Sequence, residues 1–131
     1  MEPNEISSET LQFQAGTTII QEDDEDRKLY VLLEGKCSVH KHGVEITSFS
    51  ERGTCFGEMS MILNITRTAT VKAATDVTVH VMEVDLSTML VKYPETTKMI
   101  LQTLAKRIAT ETETIFSHLA KVDINELGID V

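Results

Sequence analysis

The 131-residue sequence predicts a mainly β fold, a sandwich or barrel, followed by C-terminal helices. Three observations carry that prediction. From Thr10 to Val84 the text is a series of short apolar runs separated by turn residues. The last of these runs are β-branched and alternate with a period of two. After Asp85 the apolar spacing lengthens to that of a helix.

The elements follow in order. LQFQ (11–14) leads into Ala15-Gly16 and then TTII (17–20). The acidic stretch 22–26 reads as a solvated loop. KLYVLLEG (28–35) is a strand ending at a glycine. KCSVHKH (36–42) alternates, turns at Gly43, and returns as VEITSFS (44–50). RTATVKAAT (67–75) and VTVHVMEV (77–84) complete the β region of about 10–84. Asp85 is placed to cap a helix over LSTMLVKY (86–93). Pro94 then sits in the first turn of a longer helix over 95–121, with Ile100, Leu104, Ile108, Ile115 and Leu119 at helical spacing. A short tail, 122–131, follows. No repeat or linker interrupts the text, so one domain spanning 1–131 is expected.

Bulk composition narrows the function. The chain is 41% hydrophobic and 25% charged, as ordinary globular domains are. The formal net charge of -9 opposes binding to nucleic acid, which needs a basic surface. No apolar run reaches the roughly 18 residues that span a bilayer. The opening MEPNEISSET reads as neither signal nor transit peptide, so a cytoplasmic protein without a membrane partner is expected. Two cysteines, Cys37 and Cys55, are too few for a disulfide framework.

The segment 53–73 is where the chemistry concentrates. Gly57 lets the backbone approach another group closely. Glu58 opens an apolar stretch, Met59 to Leu63, long enough for a short helix. Helix N-termini carry unbonded N–H groups that attract anions, and a glutamate there can accept a hydrogen bond from a hydroxyl. Arg67 follows where the chain re-enters a strand, which suits bidentate recognition of phosphate. A phosphate clamp beside a hydroxyl acceptor describes a ribose phosphate.

FGEMSMILNITRTATVKA (56–73) resembles the phosphate-binding cassette of cyclic-nucleotide-binding domains, the family of the catabolite activator protein, protein kinase A regulatory subunits and cyclic-nucleotide-gated channels. The shared pattern is aromatic-Gly-Glu, a short apolar helix, then Arg-x-Ala before a strand, with Glu58 and Arg67 at the family spacing. KLYVLLEGKCSVHKHG (28–43) and YPETTKMILQTLAKRI (93–108) extend the resemblance over roughly Thr10 to Leu119. It implies an antiparallel β-roll of the jelly-roll type, with a short cassette helix and a long C-terminal helix.

The resemblance also implies roles. Glu58 would accept the ribose 2′-OH, and Arg67 would pair with the exocyclic phosphate oxygens. Backbone N–H groups around Gly57, Met59, Ser60 and Ala69 would complete the phosphate cradle, next to Phe56. Thr68 would lie near the purine, and Val71, with Val44 and Ile46, would wall it. Arg107 aligns with a helix position that caps the base in some members. The implied ligand is cAMP or cGMP, with no metal, cofactor or catalytic residue. Thr68 resembles cGMP-favouring members, but the same residue occurs in cAMP-responsive channels, and the reading leans to cAMP. The implied partner is a protein effector or fused output domain. The long helix is compatible with a homodimer. Departures from the pattern are Thr66 where proline is common, Ser60 where alanine is common, and the acidic run 22–26 where a glycine is common.

Two other readings compete. The spacing Gly35-x4-His40-x-His42-x2-Glu45-x7-Gly53 approaches a cupin metal motif, yet every spacer except the one between the histidines is off by one, and the second motif is missing. A docking module that keeps the fold without the ligand would be signalled by loss of Glu58 or Arg67, and both are present.

Overall fold

The computed structural model describes residues 7–110 together with 125, 126 and 128. The chain divides into two compact units, one running through Thr97 and one beginning at Lys98. The first unit holds strands β1 (Ser7–Phe13), β2 (Thr18–Ile20), β3 (Leu29–Glu34), β4 (Cys37–Lys41), β5 (Val44–Phe49) and β6 (Cys55–Phe56). Helix α1 (Glu58–Leu63) follows, then β7 (Thr70–Ala73), β8 (Val77–Glu83) and α2 (Leu86–Lys92). Helix α3 (Pro94–Thr110) starts in the first unit and continues into the second.

The strands form two four-stranded sheets, ordered β1-β8-β3-β6 and β2-β7-β4-β5. Every pairing is antiparallel, and sequence neighbours are mostly split between the sheets, as in the expected β-roll. Period-two patterning explains which face turns inward. In β8, Val77, Val79 and Val81 are buried and the residues between them are not. Val81 lies opposite Tyr30 and Val79 opposite Leu32, so their side chains share one face. In the second sheet Cys37 lies opposite Ala73 and Phe49, and Val39 opposite Val71. These faces, with Ile20 and Phe56, make a single core. Each fully buried aliphatic side chain contributes about 1.5–3 kcal/mol. Burial also pushes the Cys37 thiol up to about 11, so it packs as a neutral hydrophobe.

Two local signals hold as read. Asp85 caps α2, its carboxylate accepting the Thr88 N–H at 2.7 Å. Pro94 occupies the first turn of α3. Thr97 Oγ1 donates to the carbonyls of Tyr93 at 2.8 Å and Met89 at 3.1 Å, which ties the end of α2 to the start of α3.

Some boundaries differ from expectation. Strand β7 begins at Thr70, so Arg67 is not strand-initial but stands in the irregular stretch ahead of it. Strand β6 has two residues, too few to show an alternation. The predicted helical stretch 111–121, with Ile115 and Leu119, lies outside the described residues.

Candidate functional site

The cassette is a loop held closed by backbone geometry. Gly57 has φ 80°, a left-handed conformation that favours glycine. A Cβ there would lie 2.8 Å from Arg67 Nη1 and 3.0 Å from the Lys28 carbonyl oxygen. Gly57 is therefore required both by its turn and by the arginine packed on it. Helix α1 ends at Asn64, also left-handed at φ 56°, and the chain reverses toward Arg67. Arg27 fastens this reversal, donating from Nε to Asn64 Oδ1 and from Nη1 to the Ile65 carbonyl, both at 2.7 Å. Buried Ser60 donates its hydroxyl to the Thr66 carbonyl at 3.4 Å, so it ties the helix to the turn.

Arg67 is the centre of the arrangement and is only 2% exposed. Its Nη1 donates to the Gly57 carbonyl at 2.7 Å, and its Nη2 donates to the Lys28 carbonyl at 2.6 Å and to Asp26 Oδ2 at 2.9 Å. The guanidinium lies 5.8 Å over the Tyr30 ring, whose hydroxyl donates to the same Asp26 oxygen at 3.2 Å. The backbone is fixed too: Arg67 N–H donates to the Asp24 carbonyl at 2.8 Å, and Asp23 N–H to the Arg67 carbonyl at 2.9 Å. Arg67 Nε is buried with no hydrogen-bond partner among the described residues.

Electrostatics follow this geometry. Partial burial pushes the Asp26 carboxyl up, but the Lys28 N–H and the Arg67 guanidinium outweigh it and hold the group below the usual carboxylate range. Burial, reinforced by the Asp26 charge, pushes the Tyr30 hydroxyl up to about 12.

The acidic stretch 22–26 is exposed at Asp23, Asp24 and Glu25, as its composition predicts, but half-buried at Glu22 and Asp26. It pairs with Arg67 through both backbone and side chain, and Asp26 is a site residue that the sequence reading missed. Charge runs alone do not say which acid turns inward.

The other expected site residues are distributed as follows. Glu58, in the first turn of α1, is buried at 4% exposure and follows Gly57, whose carbonyl holds Arg67. Met59 and Leu63 are exposed, and the buried side of α1 is instead Glu58, Ser60 and Met61. Thr68 and Ala69 are half-buried between Arg67 and β7. Phe56 and Val71 belong to the core; the Phe56 ring stacks on Tyr30 at 5.2 Å and tilts against Phe49 at 5.1 Å. Both side chains are therefore packed in the core. Val44 and Ile46 on β5 are 64% and 60% exposed. Arg107 is an exposed residue of α3 in the second unit.

The cupin-like histidines do not converge. His40 Nε2 is 2.9 Å from Ser38 Oγ, whereas His42 Nδ1 is 3.2 Å from Glu22. Among the described residues no group of three His, Cys, Asp or Glu side chains is placed to hold a metal ion. No described helix is long and apolar enough to cross a membrane.

A family model described as "Cyclic nucleotide-binding domain" matches residues 10–91. The chain belongs to the cyclic nucleotide-binding domain family. It is 31% identical over 111 residues to the cGMP-dependent protein kinase egl-4 of Caenorhabditis briggsae, covering 84% of this chain and 13% of that protein. It therefore spans about an eighth of the length of the curated relatives it matches. Among solved structures, the catabolite activator protein of Thermus thermophilus matches with a TM-score of 0.68 at 22% identity, over 79% of this chain and 51% of that one. The structure of Sp-2Cl-cAMPS bound to PKAR CBD2 matches with a TM-score of 0.63 at 22% identity, over 95% of this chain and 74% of that one. At these identities the structural matches establish the fold.

Proposed function

We propose that this chain is a regulatory sensor that binds a 3′,5′-cyclic purine nucleotide, cAMP or cGMP, and catalyses nothing itself. The observation that supports it most directly is the buried guanidinium of Arg67 with its Nε–H unpartnered among the described residues. An unmet buried donor is costly, about 1–3 kcal/mol, and a phosphate oxygen would satisfy it. Arg67 is closed in, so an incoming phosphate must displace a present acceptor. Asp26, whose side chain is 30% exposed, is the acceptor most open to release. In this reading Glu58 takes the ribose hydroxyl, and the N–H groups of Gly57, Met59, Ser60 and Ala69 complete the cradle. Arg107 as a base cap, movement of the C-terminal helix as the output, one functional domain over the whole chain, a cytoplasmic setting and a fused or separate protein effector belong to the same proposal. The relatives' own length supports an effector fused in the same polypeptide.

Calorimetric titration with cAMP and with cGMP, at matched salt, tests it. Micromolar or tighter binding of either is the expected result, and the ratio names the ligand. No heat from folded protein free of bound nucleotide would overturn the sensor reading and promote the docking module.

A further inference from the structure

A second ionic cluster reaches the residue after Arg67, Thr68, and its hub is Glu22. Glu22 Oε1 accepts the His42 N–H at 3.0 Å. Its Oε2 lies 3.2 Å from His42 Nδ1 and 3.6 Å from Lys41 Nζ. Lys41 Nζ in turn donates to the Thr68 carbonyl. On the other side, the Glu22 N–H donates to Thr70 Oγ1 at 3.0 Å, and Gln21 Nε2 to the same oxygen at 3.3 Å. The His42 N–H that lies at 3.0 Å from this carboxylate lowers its pKa, and Lys41 and His42 add to that. Three separate segments are joined: the loop after β2, the tip of the β4–β5 hairpin, and the stretch from Arg67 to β7.

The hairpin tip is shaped for this contact. His42 and Gly43 have φ 51° and 80°, the two positive values of a two-residue type I′ turn. The turn fixes the direction of the His42 N–H and the end of β4 at Lys41. Glu22 also stands in the run that replaces the glycine common in related sequences, and the left-handed backbone falls on Asp23 at φ 73°.

With Lys41 43% exposed, its ion pair with Glu22 contributes little by itself. Lys41, however, holds a main-chain carbonyl, and that has a consequence. A trans peptide is planar, so its C=O and the next N–H point in opposite directions. Fixing the Thr68 carbonyl on Lys41 therefore aims the Ala69 N–H to the other side. We propose that Glu22 and Lys41 form a latch that orients the Thr68–Ala69 peptide for the ligand phosphate, with Lys41 as the positioning residue and Glu22 as its anchor. The latch rests on the cyclic-nucleotide reading above.

The test is calorimetric titration of the chain and its variants with cAMP and cGMP, paired with thermal unfolding and the Ala69 amide signal by NMR. Lys41→Met and Glu22→Gln should each weaken the nucleotide that the wild type binds by about 5- to 10-fold. The double variant should lose no more than the stronger single one, because the two act as one unit. Lys41→Arg keeps a donor for the Thr68 carbonyl and should stay within about twofold. The Ala69 amide should shift on nucleotide addition in the wild type and shift less in Lys41→Met. Wild-type affinity in Lys41→Met, additive losses in the double variant, or a loss that Lys41→Arg does not restore would each overturn the latch. If Glu22→Gln fails to fold, Lys41→Met decides alone, since Lys41 is 43% exposed. Failure of the wild type to bind either nucleotide overturns the sensor reading and the latch with it. Wild-type binding with unchanged variants defeats the latch alone.

Discussion

The phosphate end of the site and the hairpin beside it are built on opposite terms. The phosphate end is buried and charged, made of loops that meet from far apart in the chain: Arg67 reaches Gly57, Lys28 and Asp26. The hairpin wall is ordinary β-structure, with β5 at the edge of its sheet and paired, among the described residues, only with β4. Its apolar residues Val44 and Ile46 face outward into exposure. If Arg67 binds the phosphate as proposed, recognition and folding use the same bonds at that end. At the hairpin they are separable, because residues that bury little in the unliganded fold contribute little to its stability. Substitutions at the first end should lose both properties together, and substitutions at the second should lose binding alone.

Arg67→Ala is the largest expected effect. It removes a charge-assisted contact, which predicts a loss of roughly 10- to 150-fold in nucleotide affinity by calorimetry. It also strands Asp26 and the Gly57 and Lys28 carbonyls, so urea unfolding should show a loss of about 3 kcal/mol. Unchanged affinity would mean that the cassette does not bind phosphate. Lost affinity at unchanged stability would break the comparison instead. Gly57→Ala comes next. The substitution forces an alanine to φ 80° and drives its Cβ against Arg67 Nη1 and a backbone oxygen. A loss of about 1–3 kcal/mol in urea unfolding is expected, with weaker binding alongside it.

Acid should act on the phosphate end through Asp26. Its carboxyl ionises more readily in the folded chain than in the unfolded one. The associated stability is therefore fully present above about pH 4, the unfolded carboxyl value, and is lost as pH falls through the lower folded value. Tyr30, at about 12, stays neutral throughout that range. Urea unfolding of wild type and Asp26→Asn from pH 7 to pH 3 isolates the effect. The difference between them should shrink as the solution is acidified. A difference that stays constant with pH would show that Asp26 does not carry its charge into the Arg67 contact.

What the sequence disclosed and what it hid divide along similar lines. Alternation exposed β8, where every second residue, Val77, Val79 and Val81, is buried. Gly57, Glu58 and Arg67 were legible as a local motif, since a tight turn, a short helix and an arginine follow within a few residues. Asp26 and Glu22 were not. Both make their decisive contacts with residues distant in sequence, and five consecutive acids offer no period from which to choose. Strand β6 was hidden for a different reason: two residues cannot display a pattern, and pairing with β3 defines it. Phe56 was read as a neighbour of the ligand because it belongs to the motif, yet its ring packs on Tyr30 and Phe49. A motif records which residues travel together, not which way each side chain turns.

The smallest effect on stability is expected at Ile46, and it is the most informative about the hairpin. Ile46 is 60% exposed, and it is the extra residue of the irregularity in the β4–β5 pairing, where Val39 lies opposite Thr47 and His40 opposite Glu45. Replacing it with serine removes little apolar surface that folding buries. The change in unfolding free energy should stay within about 0.5 kcal/mol. If the purine rests on this strand, the same substitution removes apolar contact from the bound state alone. Affinity should then fall several-fold, by about 1 kcal/mol, while the melting curve without nucleotide is unchanged. Equal affinity for wild type and Ile46→Ser would move the base off β5. A large loss of stability would show that this strand is as integrated as the arginine loop, and the contrast between the two ends would not hold.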